Sequence, residues 1–426
     1  MAKSILPPPA PEVAPVVSGK RRLSARDTFA ALQYPNYRLW FFGQMFSLMG
    51  TWMQATAQGF LVFELTGSPQ YLGYVGFAAG LPSWLFMLYG GLVADRMPRR
   101  SLLMITQAAM MLLAFSLAAL TFTGKVQAWM IVVMAFLLGV ANAFDAPSRL
   151  AFVNEMVDRK DMTNAIALNA TMFNTATAVG PAIGGLVYTA VGPAWCFLLN
   201  GVSFLAVIGA LAMMHIRYTA PVTARRSALK GIQEGFRYVG SQAIVRTVIL
   251  NVLVVSLFGI SFVTLMPAWA VDVLGGDATT NGYLQSARGI GALAGALMLA
   301  SLSGVVSKGR MITVGGFVFP LMLLIFAKIT TLPLSLLLLM GIGWGFMIFI
   351  NSCNALVQSL VPDELRGRVM SIYTLVFFGF MPLGSLLAGA AAERIGVPSA
   401  VMLGAIIVFL FAGLVYWRVP GLRRSE

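Results

Sequence analysis

The amino-acid sequence predicts an all-α polytopic membrane protein with twelve transmembrane helices in two six-helix bundles. Three observations carry this. Of 426 residues, 58% are hydrophobic and only 10% charged, at a mean hydropathy of +0.83; a soluble chain is about half apolar and a quarter charged. Twelve apolar runs are close to the roughly 20 residues that cross a bilayer as a helix. A polar stretch separates the sixth run from the seventh. The shortage of charge excludes a cytosolic enzyme, a disordered scaffold and a collagen-like fibre.

Residues 1–37 are rich in Pro, Ala and basic side chains and lack an apolar core, so they read as a cytoplasmic tail rather than a cleavable signal peptide. The runs follow near 38–63, 71–94, 101–123, 128–147, 165–189, 194–216, 243–271, 281–303, 311–330, 333–358, 369–392 and 399–418. Turn signals mark the breaks, among them Thr66-Gly67-Ser68-Pro69, Gly192-Pro193 and Gly396-Val397-Pro398. The first six runs form one bundle, 38–216, and the last six another, 243–418, followed by a short tail, 419–426. In the linker, 217–242, Ile232, Phe236 and Val239 recur at helical spacing among basic residues, which predicts an amphipathic surface helix. A matched pair of halves is a transporter plan, with substrate held between them near the midplane.

The chain carries 29 Lys and Arg against 15 Asp and Glu, a net charge of +14. With the N-terminus inside, 25 of the basic residues fall in cytoplasmic segments. Outside fall only Lys125, Lys328 and Arg394, and Arg288 lies within the eighth run. This bias places both termini in the cytoplasm and accounts for the net charge without a nucleic-acid partner. Cys196 and Cys353 both sit in apolar runs, and no His, Cys and carboxylate cluster has metal-ligand spacing. No phosphate-binding Gly-Lys-Ser/Thr loop is present. No cofactor and no metal are expected. His215, the one histidine, leaves no nucleophile–base pair in view, so an embedded enzyme is a remote alternative. A channel would need a charged ring or filter loop.

The sharpest motif is the inner loop after the second run, Gly90-Gly91-Leu92-Val93-Ala94-Asp95-Arg96-Met97-Pro98-Arg99-Arg100. Gly91 permits close helix approach, and Asp95 is a carboxylate among Arg96, Arg99 and Arg100. The loop either latches the inner face or simply sets topology. In the fifth run, Pro181 removes a backbone donor while Gly180, Gly184 and Gly185 allow tight packing, which suits a bending helix as well as plain small-residue packing. Ionisable groups in a membrane are functional suspects. Glu64, Asp272 and Arg288 are candidates for an outer gate or proton site; the alternative is carboxylates in interfacial water and an arginine that snorkels outward. Polar side chains within runs either line a wet cavity or bond neighbouring helices. Gln54 and Gln58, four apart on one face, with Asn174, Asn251, Asn351, Asn354, Trp344 and Tyr373, are the candidate cavity residues.

The inner loop resembles the cytoplasmic signature of the major facilitator superfamily, and the six-plus-six layout is similar to that superfamily over almost the whole chain. Phe63-Glu64-Leu65-Thr66-Gly67-Ser68, Asp145-Ala146-Pro147-Ser148-Arg149 and Val361-Pro362-Asp363-Glu364-Leu365-Arg366-Gly367-Arg368 resemble its enterobactin-exporter branch, whose members are drug and siderophore effluxers. The resemblance implies that Asp95 latches against Arg149 and the start of the eleventh span near Arg368. It also implies that Val179-Gly180-Pro181-Ala182-Ile183-Gly184-Gly185 corresponds to the antiporter signature of drug exporters. Two departures stand against direct transfer of proton coupling: the stretch 134–139 has no Arg, and Thr177 occupies a position where relatives often carry one. The expected function is a secondary active exporter of a small amphiphilic molecule, working by alternating access with proton antiport in the bacterial plasma membrane. Its partners are that substrate, protons and membrane lipids, and its plan implies a monomer. A lipid flippase or an uncoupled uniporter is the alternative.

Overall fold

Helices account for the computed structural model, which describes residues 29–214, 228–302 and 306–423; within these the side chains of 87–92, 94–96 and 228–232 lie outside the description. No strand occurs among the described residues. The long helices are α1 (Pro35–Thr66), α2 (Pro69–Arg96), α3 (Arg99–Phe122), α4 (Ala128–Phe152), α5 (Met162–Val191), α6 (Pro193–Met213), α7 (Ala243–Val273), α8 (Ala278–Leu302), α9 (Lys308–Phe326), α10 (Leu332–Leu360), α11 (Asp363–Ile395) and α12 (Val397–Arg418). Among the described residues, 8 helices are long and apolar enough to cross a membrane: α3, α4, α6, α7 and α9 to α12. The remaining long helices, α1, α2, α5 and α8, are of similar length; α1, α5 and α8 carry more Gly, Gln and Thr, and in α2 the side chains of 87–92 and 94–96 lie outside the description.

The boundaries follow local chemistry. Proline opens α1, α2 and α6, where a missing N–H costs no helical hydrogen bond. Gly67 ends α1 in the left-handed region at φ 62°, and its N–H returns to the Phe63 carbonyl. The seventh run is less regular than a simple span. It is α-helical to Val254, then a π turn at Val255–Gly259, a 3₁₀ stretch at Ile260–Leu265 and a second π turn at Trp269–Val273. Pro267 lies in this irregular zone and has no N–H to continue the ladder.

Within α1–α6, α1 packs on α5 and α6, α2 on α4, and α3 on α6. Within α7–α12, α10 packs on α8 and α9, and α9 on α12. Lipid removes the usual hydrophobic driving force between helices, so close contact and small residues hold them together. Aromatic packing anchors each set: Trp40 meets Phe152 edge-on at 5.5 Å, and Trp269 stacks on Phe326 at 4.3 Å.

The linker forms a helix, Ala228–Ser241. It lies on α11 through buried Gly235 and a Glu234–Arg368 ion pair, and its Tyr238 hydroxyl donates to the Leu360 carbonyl at the end of α10 at 3.2 Å. Phe236 does not share the buried face and is 52% exposed. Ile232 and the basic stretch 217–227 fall outside the described side chains, as do most of the N-terminal tail, His215 and residues 424–426.

Candidate functional site: a central cavity beneath two glycine seams

Two seams join α1–α6 to α7–α12: α2 runs against α11, and α5 against α8. Both are built on glycine. A Cβ on Gly73 would meet the Ser385 carbonyl oxygen at 2.9 Å, and one on Gly76 the Ser385 Cβ at 2.8 Å. Gly80 lies directly on the Pro382 ring. On the other seam, a Cβ on Gly282 would stand 2.5 Å from the Pro181 carbonyl oxygen, and one on Gly289 2.7 Å from that of Thr177. Polar contacts cluster at the end away from the basic loops. The Ser68 hydroxyl and Gln70 N–H donate to Glu393, at 2.7 and 3.2 Å. The Thr279 hydroxyl donates to Thr189 at 2.9 Å, and the Ala182 N–H donates to Ser286 at 2.9 Å. Every described hydrogen bond between the two helix sets lies on this side.

Beneath the seams is a cavity of ≈ 220 Å³. Its polar wall is made by Thr51, Gln54 and Gln58 of α1, Asn200 of α6, Thr264 of α7 and Gln285 of α8. Asn200 Nδ2 donates to Gln54 Oε1 at 2.7 Å, and Gln58 Nε2 reaches the Ile131 carbonyl at 3.5 Å. The rest of the wall is apolar, including Val75, Leu138, Phe204 and Pro267. Such a lining suits an amphiphile: an apolar body with a few polar groups to orient it.

The candidate cavity residues divide. Gln54 and Gln58 line the cavity. Asn251 faces the opposite way, toward Ile312 and Thr313 of α9 and Val415 of α12. Tyr373 donates its hydroxyl to the Ile350 carbonyl at 2.9 Å and joins α11 to α10 instead of facing the cavity. Asn354 accepts from Gln358 at 2.6 Å on its own helix. Trp344 packs its backbone on Gly295 of α8. Asn174, Asn351 and Trp344 are half-buried and do not line the cavity. Asn200 is a lone amide on its helix and carries no periodic signal, whereas Gln285 has Asn281 four residues before it on the same face, a spaced pair that the sequence did offer.

Glu64, Asp272 and Arg288 do not come together. Glu64 accepts a short hydrogen bond from the Tyr188 hydroxyl. Asp272 is exposed, and no described ion pair includes any of the three. Arg288 lies about 15 Å along α8 from Ala278 at 1.5 Å per residue, too deep for an outer gate.

In the glycine-proline segment of α5, Gly180 and Gly184 pack on α1, where a Cβ would meet Trp52 Cβ at 2.6 Å and the Met53 carbonyl at 2.9 Å. Gly185 instead faces Ala278 across the seam.

At the basic end, the side chains of Gly91, Asp95 and Arg96 lie outside the described residues. Arg99 pairs with Glu155 at 2.8 Å, and Arg100 Nε donates to the Leu211 carbonyl at 2.6 Å. Arg149 Nε stands 3.8 Å from Asp145, which also accepts from Thr106 and Gln107, each at 2.9 Å. Arg368 is held by Glu234 of the linker helix. Arg149 and Arg368 are thus engaged within separate helix sets.

Residues 26–425 match the family described as transmembrane secretion effector. The staphyloferrin A transporter of Staphylococcus aureus is 26% identical over 84% of this chain and 90% of its own length. The multidrug efflux pump Tap of Mycolicibacterium fortuitum is 27% identical over 88% and 94%, and macrolide efflux protein A of Streptococcus pyogenes 22% over 89% and 96%. Among solved structures, a bacterial homologue of the human lysosomal transporter Spinster, inward-facing and occupied, superposes with a TM-score of 0.71 over 92% of this chain and 97% of that one, at 11% identity. The nucleoside transporter NupG superposes with a TM-score of 0.67 over 93% and 100%, at 14% identity. The chain belongs to the transmembrane secretion effector family of the major facilitator superfamily, whose members are transporters and not enzymes.

Proposed function

We propose that this protein is a secondary active exporter of a small amphiphilic molecule, drug- or siderophore-like, driven by proton antiport. In this reading α1–α6 and α7–α12 are two six-helix bundles that rock about the central cavity. All twelve helices cross the bacterial plasma membrane, both termini are cytoplasmic, and the monomer is the working unit. The observation that carries the reading is the one-sided joining of the helix sets: their described hydrogen bonds all lie away from the basic loops. With basic loops in the cytoplasm, this is a conformation sealed outside, in which the cavity receives substrate from the inside. The named relatives move a siderophore, multiple drugs and macrolides, which supports a substrate of that size and amphiphilic character.

One observation favours a flippase or uncoupled uniporter as a second reading. No Asp or Glu is among the residues that line the cavity. Purified protein in liposomes with an internal pH dye separates the two. Under an imposed pH gradient, cationic drugs or catecholate siderophores should trigger proton flux, and Asp95→Asn should abolish it. Binding without proton flux would overturn the antiport reading in favour of the second.

A further inference from the structure

Helix α8 has four distinct faces. Gly282, Ser286 and Gly289 meet α5, while Gly291 and Gly295 meet Met340 and Trp344 of α10. Tyr283, Ile290 and Leu297 are exposed at 39%, 45% and 61% and form the lipid-facing side. The remaining face carries Asn281, Gln285 and Arg288, spaced so that they stack on one side of the helix. Gln285 lines the central cavity. Arg288 follows it by one turn; its backbone carbonyl packs on Gly343 of α10 and it is not itself among the residues that line the cavity, but a helical side chain leans back over the turn N-terminal to it, toward Gln285, which does line it.

This face has donors without acceptors. Arg288 Nε is buried and has no hydrogen-bond partner, and no described ion pair includes Arg288. Asn281 is fully buried; its Oδ1 accepts from Gln285 Nε2 at 3.2 Å, which leaves its Nδ2 without a partner. The neighbours of α8 offer no counter-charge. Helices α5 and α10 contain no Asp or Glu, and Glu64 of α1 and Asp272 of α7 lie at the far ends of their helices. Asp145, the buried carboxylate of α4, is taken by Thr106, Gln107 and Arg149. An unpaired cation at this depth is costly, and the missing group is an acceptor carrying negative charge.

We infer that Arg288, with Asn281 and Gln285, receives an anionic oxygen group, a carboxylate or phosphate, on the transported amphiphile. The inference rests on the exporter reading in taking the central cavity as the substrate site. The apolar wall holds the body of the molecule and α8 holds its head. Arginine suits this role because its planar fork matches two oxygens at once.

The test uses the full chain in nanodiscs of zwitterionic lipid, with empty nanodiscs as blank. Four probes share one tail: dodecanoate, dodecyl phosphate, dodecanol and dodecyltrimethylammonium. The two anions should bind at least about tenfold tighter than dodecanol, a difference of about 1.4 kcal/mol, and the cation more weakly than dodecanol. The tighter of the two anions identifies the headgroup class. Arg288→Gln should bring anions and dodecanol to equal affinity, and Arg288→Lys should keep a preference for anions. Equal binding of dodecanoate and dodecanol by the wild type would overturn the inference, as would a full anion preference in Arg288→Gln. If Arg288→Gln does not fold, the wild-type unfolding midpoint decides: a rise with dodecanoate but not dodecanol supports the inference, and equal shifts overturn it. Anion preference without flux of any compound in the pH-dye assay would remove the exporter reading alone. Drug-driven flux without anion preference would remove only this inference.

Discussion

Gly282 of α8 lies so close to Pro181 of α5 that a Cβ built on it would stand 2.5 Å from the Pro181 carbonyl oxygen. Helix propensity alone favours alanine over glycine by about 1 kcal/mol. The backbone carbonyl cannot swing away as a side chain would, so the clash wins and the seam must open. Gly282→Ala should lower stability by about 1–3 kcal/mol and reduce efflux. Gly209→Ala, where a Cβ meets nothing within 4 Å, should do neither. Thermal unfolding and liposome flux of the two variants check this.

Asp145 is 1% exposed and accepts from Thr106 and Gln107. Asparagine keeps an acceptor but loses the charge that strengthens both bonds. Asp145→Asn should cost about 1.5–3 kcal/mol, read as a lower unfolding midpoint. Thr106→Val should cost less, because Gln107 remains.

The Glu234–Arg368 pair ties the linker helix to α11, but its side chains are 52% and 29% exposed. Exposed pairs contribute at most about 1 kcal/mol. Glu234→Gln should therefore shift stability by no more than that, and the difference from wild type should vanish in about 1 M salt as screening shortens to about 3 Å.

Tyr34, just before α1, donates to Asp158 at 3.0 Å and Asp161 at 2.8 Å. Desolvation and these two carboxylates push its phenol up from 10.0 to about 12. A raised folded-state value means the contribution is complete below pH 10.0 and is lost as pH rises through about 12. Tyr34→Phe should remove the part of the stability loss between those values, and the difference in phenolate absorbance between wild type and Tyr34→Phe should be one tyrosine titrating near 12.

Much of the helix pattern was legible because lipid imposes it. Unpaired backbone cannot be left in hydrocarbon, so apolar runs such as 101–123 become helices such as Arg99–Phe122 with little freedom at the ends. The turn residues Gly67, Gly192 and Gly396 do cap helices. Side-chain facing was harder to read. Gln54 and Gln58 line the cavity, yet Asn251 looks toward α9 and α12 and Tyr373 bonds α10, because an isolated polar residue has no periodic partner to reveal its face. Asn200 was missed for the same reason, whereas the i,i+4 pair of Asn281 and Gln285 was legible on α8. The irregular course of α7 was also hidden, since Pro267 by itself does not say whether a helix kinks, widens or tightens around it. The depth of Arg288 became clear only once α8 was seen to begin at Ala278.

The most direct test of alternating access targets the hydroxyl pair Thr279 and Thr189, 2.9 Å apart across the α5–α8 seam. Thr189→Cys with Thr279→Cys, in a background of Cys196→Ser and Cys353→Ser, would allow that end to be locked by oxidation. Oxidised protein in liposomes should stop exporting a compound the unoxidised protein moves, and reductant should restore the flux. Unchanged export from fully cross-linked protein would contradict alternating access, because the seam would then never need to open.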